Sequence, residues 1–220
     1  MLNYQFYWPL VWSALPDLLA GAGVSLQIAF LSLVLGTLIA LPMAVARQLE
    51  NGWCYIAATT WVELSRNTPC VFQVYLMYFG LGALGINISS YVSLLAAITF
   101  NNAGYLAEIF RGGLGVIPFQ QMSGARSLGL TRFQGFAHVI FPQVFNVVFF
   151  AYVTQGIWGL LNTSLGMLIG LRELAGAANY AQSVSFRTFE FFIVTAVIYY
   201  IMAKILQFSA QLVYRAMYRS

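Results

Sequence analysis

Charge is what this chain has least of. Sixteen of its 220 residues are Asp, Glu, Lys or Arg, 7% of the total, against about a quarter in a soluble globular domain. That scarcity excludes a water-soluble fold. With 60% hydrophobic and 16% aromatic residues, the chain takes the bilayer as its solvent. Histidine and lysine occur once each, as His138 and Lys204. A hydroxyl nucleophile could draw on His138 alone, and there is no serine-nucleophile motif and no H-E-x-x-H stretch, which excludes an intramembrane protease. No G-x-x-x-x-G-K-[ST] loop is present, so ATP is not bound here by that route. The six acids, Asp17, Glu50, Glu63, Glu108, Glu173 and Glu190, fall at the ends of apolar runs or in loops. An ion-coupled carrier would bury carboxylates near the bilayer midplane. Two cysteines, Cys54 and Cys70, lack metal-ligand spacing and map to the reducing side of the membrane, where they serve as small core residues. No basic residue precedes Arg47, so the positive segment of a removable signal peptide is missing.

Long uncharged runs fill the rest: Leu18 to Ala46, Asn67 to Ala107 and Val139 to Leu171, then Phe191 to Val213 interrupted only by Lys204. A spanning helix needs about 20 such residues. The second run holds two spans, turning at Gly80 to Asn87, where glycines and asparagine favour a hairpin. Five spans are therefore expected, at 20–46, 66–82, 88–108, 138–161 and 189–213. Residues 53–65 are too short to cross and are read as an interfacial lead-in to the second span. Placing the N-terminus outside puts Arg47, Arg66, Arg111, Arg126, Arg132, Arg215 and Arg219 on the cytoplasmic side and only Arg172 and Arg187 outside, in keeping with the positive-inside rule. Residues 1–19, with Tyr4, Phe6, Tyr7, Trp8 and Trp12, form an outer interfacial segment; 214–220 form a cytoplasmic tail. The net charge of +4 is spread along one membrane face without dense clusters, so nucleic acid is not an expected partner.

The most informative stretch is SGARSLGLTRFQGFAHVIFPQ, Ser123 to Gln143. Gly112-Gly113 and Pro118 are expected to break the third helix before it. Beyond Pro118 the residues keep helical patterning with a glycine at Gly129, more than a connector needs. Gly124 and Ala125 would let another protein approach the backbone, while Leu128, Leu130 and Phe133 could fill a pocket. This is a docking pattern.

The same stretch resembles the EAA loop of permease subunits of ATP-binding-cassette importers: Ser123-Gly124-Ala125, then Gly129, then Val139-Ile140-Phe141-Pro142 keep the spacing, with Ser123 in place of Glu and Gly124 in place of Ala. Four more segments are similar to the polar amino-acid branch of that family. They are Arg66-Asn67-Thr68-Pro69, Asn101 to Gly113 (NNAGYLAEIFRGG), Asn162-Thr163-Ser164-Leu165 with Leu161 where Lys is common, and Arg187-x-x-Glu190. The resemblance covers roughly residues 20 to 213.

It implies an all-α polytopic membrane protein of the type I importer permease fold, with the N-terminus outside and the C-terminus cytoplasmic. It also implies these partners: a second permease subunit, the same or a homologous chain; two cytoplasmic ATP-binding subunits that hold ATP and Mg; a solute-binding protein on the outer side; a polar amino acid as substrate; and membrane lipid. No cofactor is expected on this chain. Coupling to the ATPase is expected through the loop 112–137, at Ser123, Gly124, Ala125, Arg126, Leu128, Gly129, Leu130, Arg132 and Phe133. Asn101 and Asn102 either bond between helices or face a wet path, since an uncompensated amide is costly in the bilayer. The uncharged continuation Asn162 to Leu171, with Gly166 and Gly170, suggests irregular helix at membrane depth, tolerated only where it is buried or lines a cavity. Asn162, Thr163 and Ser164 are accordingly placed beside the translocation path, or in a small-residue helix contact. Arg66, Thr68, Pro69, Glu108 and Arg111 are structural or gating candidates, with an Arg66–Glu108 pair as the sharpest form. The rival function is a channel or secondary carrier working without an ATPase.

Overall fold

The computed structural model describes residues 4–49 and 51–218; Glu50 and Arg219 lie outside them. Among the described residues all regular structure is helical. Helix α1, Pro9–Ala46, starts on a proline whose missing N–H costs nothing at a helix start. At 1.5 Å per residue it is about 57 Å long, well beyond the hydrocarbon thickness. Its helical start at Pro9 means that much of the expected interfacial segment 1–19 belongs to the first helix.

Helix α2, Trp53–Asn67, is amphipathic and buries Ala58, Val62 and Ser65. It does not lead smoothly into the next span. Thr68, before Pro69, is extended at φ −111°, ψ 136°, because a residue preceding proline is pushed out of the helical region. The second apolar run then forms α3, Cys70–Tyr75, a π-helical turn Leu76–Gly80 and α4, Leu81–Ala83. This run would reach only about 20 Å. It ends at Gly85, φ +81°, where Ile86 N–H donates to Leu81 C=O and Gly85 N–H to Gly82 C=O, the paired bonds of a left-handed C-terminal stop.

Helix α5, Ser90–Val116, runs straight through Gly112-Gly113, contrary to the expected break. A Cβ on Gly113 would overlap Val148 Cγ1, so that glycine serves close packing inside the helix. The break comes at Ile117-Pro118. After α6, Phe119–Ser127, and α7, Arg132–Gly135, a π-helical turn Phe136–Ile140 feeds α8, Phe141–Asn162. Pro142 cannot donate and its ring crowds the carbonyl one turn back, which accounts for the widened turn there. A 3₁₀ segment, Thr163–Ile169, comes next, then α9, Leu174–Ser185, and α10, Thr188–Tyr218. Three continuous stretches, Pro9–Ala46, Arg132–Ile169 and Thr188–Met217, are long and apolar enough to cross a membrane unaided.

The chain divides into two compact units, Met1–Leu33 with Pro69–Thr99 and Gly156–Ser220, and Val34–Thr68 with Phe100–Gln155. The first has two apolar clusters, one around Leu18, Leu160, Leu174 and Phe191, the other around Ile28, Val74, Leu94 and Ile169. The second packs Ile140, Val144 and Val148 against Ile109 and Leu114. Large apolar side chains elsewhere, such as Phe30, Leu38, Phe72, Tyr200 and Phe208, are exposed. That is the surface expected of a chain bathed in lipid, where apolar side chains gain nothing from hiding.

Candidate functional site

The Ser123 region is built as a short, rigid hook. Helix α6 stops in a Schellman arrangement: Leu130 N–H donates to Ala125 C=O at 3.2 Å and Gly129 N–H to Arg126 C=O at 3.0 Å, with Gly129 at φ +87°. Only glycine adopts that conformation without strain. Two residues later Thr131 and Gln134 form a capping box, Gln134 N–H donating to Thr131 Oγ1 and Thr131 N–H to Gln134 Oε1, which fixes the start of α7. Gly135 lets the two pieces touch, since a Cβ there would lie 3.0 Å from Met122 Sδ. Ala125 is buried, holding the hook together. Its outward side chains are apolar: Leu128 is 85% and Phe133 79% exposed. A groove of about 520 Å³ runs along the hook, lined by Gly124, Ala125, Leu128, Leu130 and Val139. Ser123, Gly124, Arg126 and Arg132 are not buried, and nothing stands within 4 Å of a Cβ placed on Gly124.

The same unit gathers charge around Glu108. Arg47 Nη1 and Arg111 both donate to its carboxylate, Arg111 Nε at 2.9 Å and Nη2 at 3.0 Å, and Arg66 Nη1 lies 3.5 Å from it. The Arg66–Glu108 pair expected from sequence is present, but Arg47 and Arg111 hold the carboxylate more tightly. Arg66 also lies over the Tyr105 ring, 5.4 Å from its centre. Thr68 Oγ1 donates to Leu64 C=O, closing α2 before Pro69. One carboxylate amid three guanidiniums ties α2 and α5 together and leaves a positive surplus at this end.

Asn101 and Asn102, expected as path residues or interhelical bonds, both make hydrogen bonds to other elements. Asn101 Nδ2 donates to Ser65 C=O at 3.1 Å, and Gln155 Nε2 donates to Asn102 Oδ1 at 2.9 Å; all are buried. The α2–α5 approach is very close, since a Cβ on Gly104 would overlap Ser65 Oγ.

Asn162, Thr163 and Ser164 lie in the other unit, where regular helix gives way. Thr163 is buried, donates to Leu160 C=O at 2.7 Å and lies 3.4 Å from Tyr199 Oη. Ser164 donates back to Leu161 C=O at 2.8 Å. Seven residues of 3₁₀ helix end at Gly170, φ +74°, again with paired bonds, Leu171 N–H to Gly166 C=O and Gly170 N–H to Met167 C=O. Runs of 3₁₀ this long are uncommon and mark a special geometry. Gly166 lets the 3₁₀ segment approach α5 closely: a Cβ there would meet Leu94 at 2.9 Å and Glu173 Cγ at 3.1 Å.

Sequence reasoning assigned no role to Glu173, yet it is the hub of this region. Its fully buried carboxylate caps α9 and accepts from Gly176 N–H at 2.8 Å, Ala175 N–H at 3.0 Å, Ser25 Oγ at 3.0 Å and Tyr199 Oη at 2.7 Å. Ser25 Oγ in turn accepts from Leu174 N–H. Burial pushes the carboxyl above the ordinary range, and the Tyr199, backbone and Ser25 donors oppose that rise. The available signal was an acid followed by LAGAANYA, a capping residue before a small-residue helix. Glu190 is also buried, and binds Tyr4 Oη and Tyr7 N–H, while Arg187 Nη1 donates to Gln5 C=O at 2.8 Å.

Broken apolar helices around buried polar groups, together with an exposed apolar hook, fit a membrane transport subunit. A crystal structure of an amino acid ABC transporter with histidines contains a chain that matches 97% of this one, and is itself covered completely, at 29% identity and a TM-score of 0.88. The MetNI methionine ABC transporter, in an inward-facing conformation, shares the fold, with a TM-score of 0.77 at 20% identity over 96% of this chain. Residues 32–219 match the model of the family described as binding-protein-dependent transport system inner membrane component, and the chain belongs to that family. It is 31% identical over 201 residues to an octopine transport system permease protein of Rhizobium radiobacter, covering 87% of this chain and 82% of the relative. It is 32% identical over 206 residues to the glutamine transport system permease protein of Escherichia coli (strain K12), covering 93% and 94%.

Proposed function

We propose that this chain forms part of the path by which a polar amino acid, delivered by an extracytoplasmic solute-binding protein, crosses the membrane in an ATP-driven importer. It works with a second permease subunit, and two cytoplasmic subunits hold ATP and Mg. The N-terminus lies outside and the C-terminus in the cytoplasm, as the arginine distribution favours.

One observation carries the coupling assignment: the hook from Phe119 to Gly135 exposes Leu128 and Phe133 almost fully while its backbone is locked by the Gly129 stop and the Thr131 cap. Exposed apolar side chains on a rigid frame suit insertion into a pocket of another protein. When the two ATP-binding subunits close on ATP, they move these hooks, and the attached helices move with them as rigid bodies. The irregular segment Asn162–Ser164 is the path element this reading favours. Asn101 and Asn102, hydrogen-bonded to Ser65 and Gln155, are better read as structural bonds.

The test is co-purification with the ATP-binding subunit. Phe133→Ala and Leu128→Asp are expected to lower recovery of the ATPase at least about tenfold, as for interface hot spots, with the permease still folded. Unchanged recovery would remove the assignment.

A further inference from the structure

The first unit holds a cavity of about 490 Å³ that neither the hook nor the path segment uses. Its walls are apolar, with Leu10, Ala14 and Leu18 from α1, Ala181 from α9 and Phe191 from α10. Two opposite charges border it, the Asp17 carboxylate and the Arg172 guanidinium. The guanidinium lies over the Tyr180 ring, 4.1 Å from its centre, which holds it in place. Among the described residues neither charge forms an ion pair, and they do not pair with each other. Both are exposed, in the first turns of α1 and just before α9, and the segment leading into α1 and its first turn carry the exposed aromatics Tyr7, Trp8 and Trp12, the kind of residues that sit among lipid headgroups.

We propose that this cavity binds a membrane phospholipid with a primary-amine headgroup, its phosphate on Arg172, its ammonium on Asp17 and the start of an acyl chain against Leu10 and Val184, the exposed apolar side chains of the lining. Opposite charges held apart at the mouth of a cavity call for a ligand carrying both signs. Apolar walls call for a ligand with a tail. A free polar amino acid meets the first demand and loses hydration against the second. An anionic lipid without an amine would satisfy Arg172 and be repelled by Asp17. A primary ammonium donates charge-assisted hydrogen bonds to a carboxylate, which a quaternary choline cannot.

The experiment uses the purified transporter complex, stripped of lipid in detergent and titrated with phosphatidylethanolamine, phosphatidylcholine and phosphatidylglycerol of matched chains, bound lipid being read by native mass spectrometry. The ethanolamine lipid should be retained roughly three- to tenfold over the choline lipid, the net scale of one hydrogen bond. Asp17→Asn should erase that preference, and Arg172→Gln should weaken the ethanolamine and glycerol lipids alike. Ala181→Phe, which fills the cavity and keeps both charges, should displace all three. Equal retention of the two zwitterionic lipids, or a preference untouched by Asp17→Asn, overturns the proposal. So does displacement of lipid by millimolar glutamine, which would make the cavity a solute site, or a crosslink from a cysteine at Val184 to the second permease subunit in lipid-free complex.

Discussion

Glu173 shows how a single buried carboxylate organises a polar segment in an apolar protein. It is satisfied by four neutral donors rather than by a cation, so its removal orphans donors on three elements at once. Glu173→Gln replaces one accepting oxygen with a donating amide, and at least one N–H or O–H loses its partner. The complex should lose about 1–3 kcal/mol, read as a lower unfolding temperature in detergent. Tyr199→Phe should cost less, about 1 kcal/mol, and a double-mutant cycle with Ser25→Ala should show coupling. Tyr4 carries a pH effect. Its hydrogen bond to Glu190 raises the phenol above its usual value, so its contribution is complete below the ordinary tyrosine range near pH 10 and is lost as pH rises through the raised value. A difference titration of tyrosinate absorbance, wild type minus Tyr4→Phe, should show one phenol ionising later than the rest; coincident ionisation would rule this out. At this scale the sequence was informative about Arg66, Glu108 and the two asparagines as residues needing partners. It was silent on which partner each would find. Arg47 is 61 positions from Glu108, and Gln155 is 53 from Asn102.

Helix ends were easier to read than helix interiors. Gly85, Gly129 and Gly170 all adopt the left-handed conformation that stops a helix, and each lies in a stretch whose composition already reads as turn or irregular. Gly129→Ala is expected to cost about 1 kcal/mol through that backbone strain alone, and to reduce transport in vesicles more than it lowers the unfolding temperature, because the hook is peripheral to the core. The opposite ranking would make Gly129 merely structural. Gly112 and Gly113 misled, and for Gly113 there is a physical reason: a glycine in a helix can also be a place where another helix comes close, here at Val148. Gly104 is the extreme case. Gly104→Val should separate α2 from α5 and destabilise by several kcal/mol, as overpacking without room to relax does; trypsin sensitivity after Arg66 would report it. The separate status of α2 stems from Pro69, but its burial of Ser65 against α5 could not be seen in its own pattern.

For the whole molecule, the consequence of carrying no phosphate-binding loop is that the pure chain should hydrolyse no ATP, whereas vesicles containing it, the ATP-binding subunit and the binding protein should accumulate amino acid only with ATP. Accumulation by the chain alone would favour a channel or carrier. Cysteine placed at Phe133 should react with impermeant reagent from the cytoplasmic side only. Composition by itself determined that this protein lives in a membrane, because sixteen charges in 220 residues leave no other solvent for its surface. Motif order pointed to its family, and glycine and proline placement to where several of its helices stop, since those depend on local backbone chemistry. Tertiary structure alone decided how the buried polar groups are satisfied. Glu173 finds Ser25 and Tyr199, and Glu108 finds Arg47, because hydrogen bonds in an apolar medium are made by whatever donor the packing brings within about 3 Å, and distance along the chain carries no record of that.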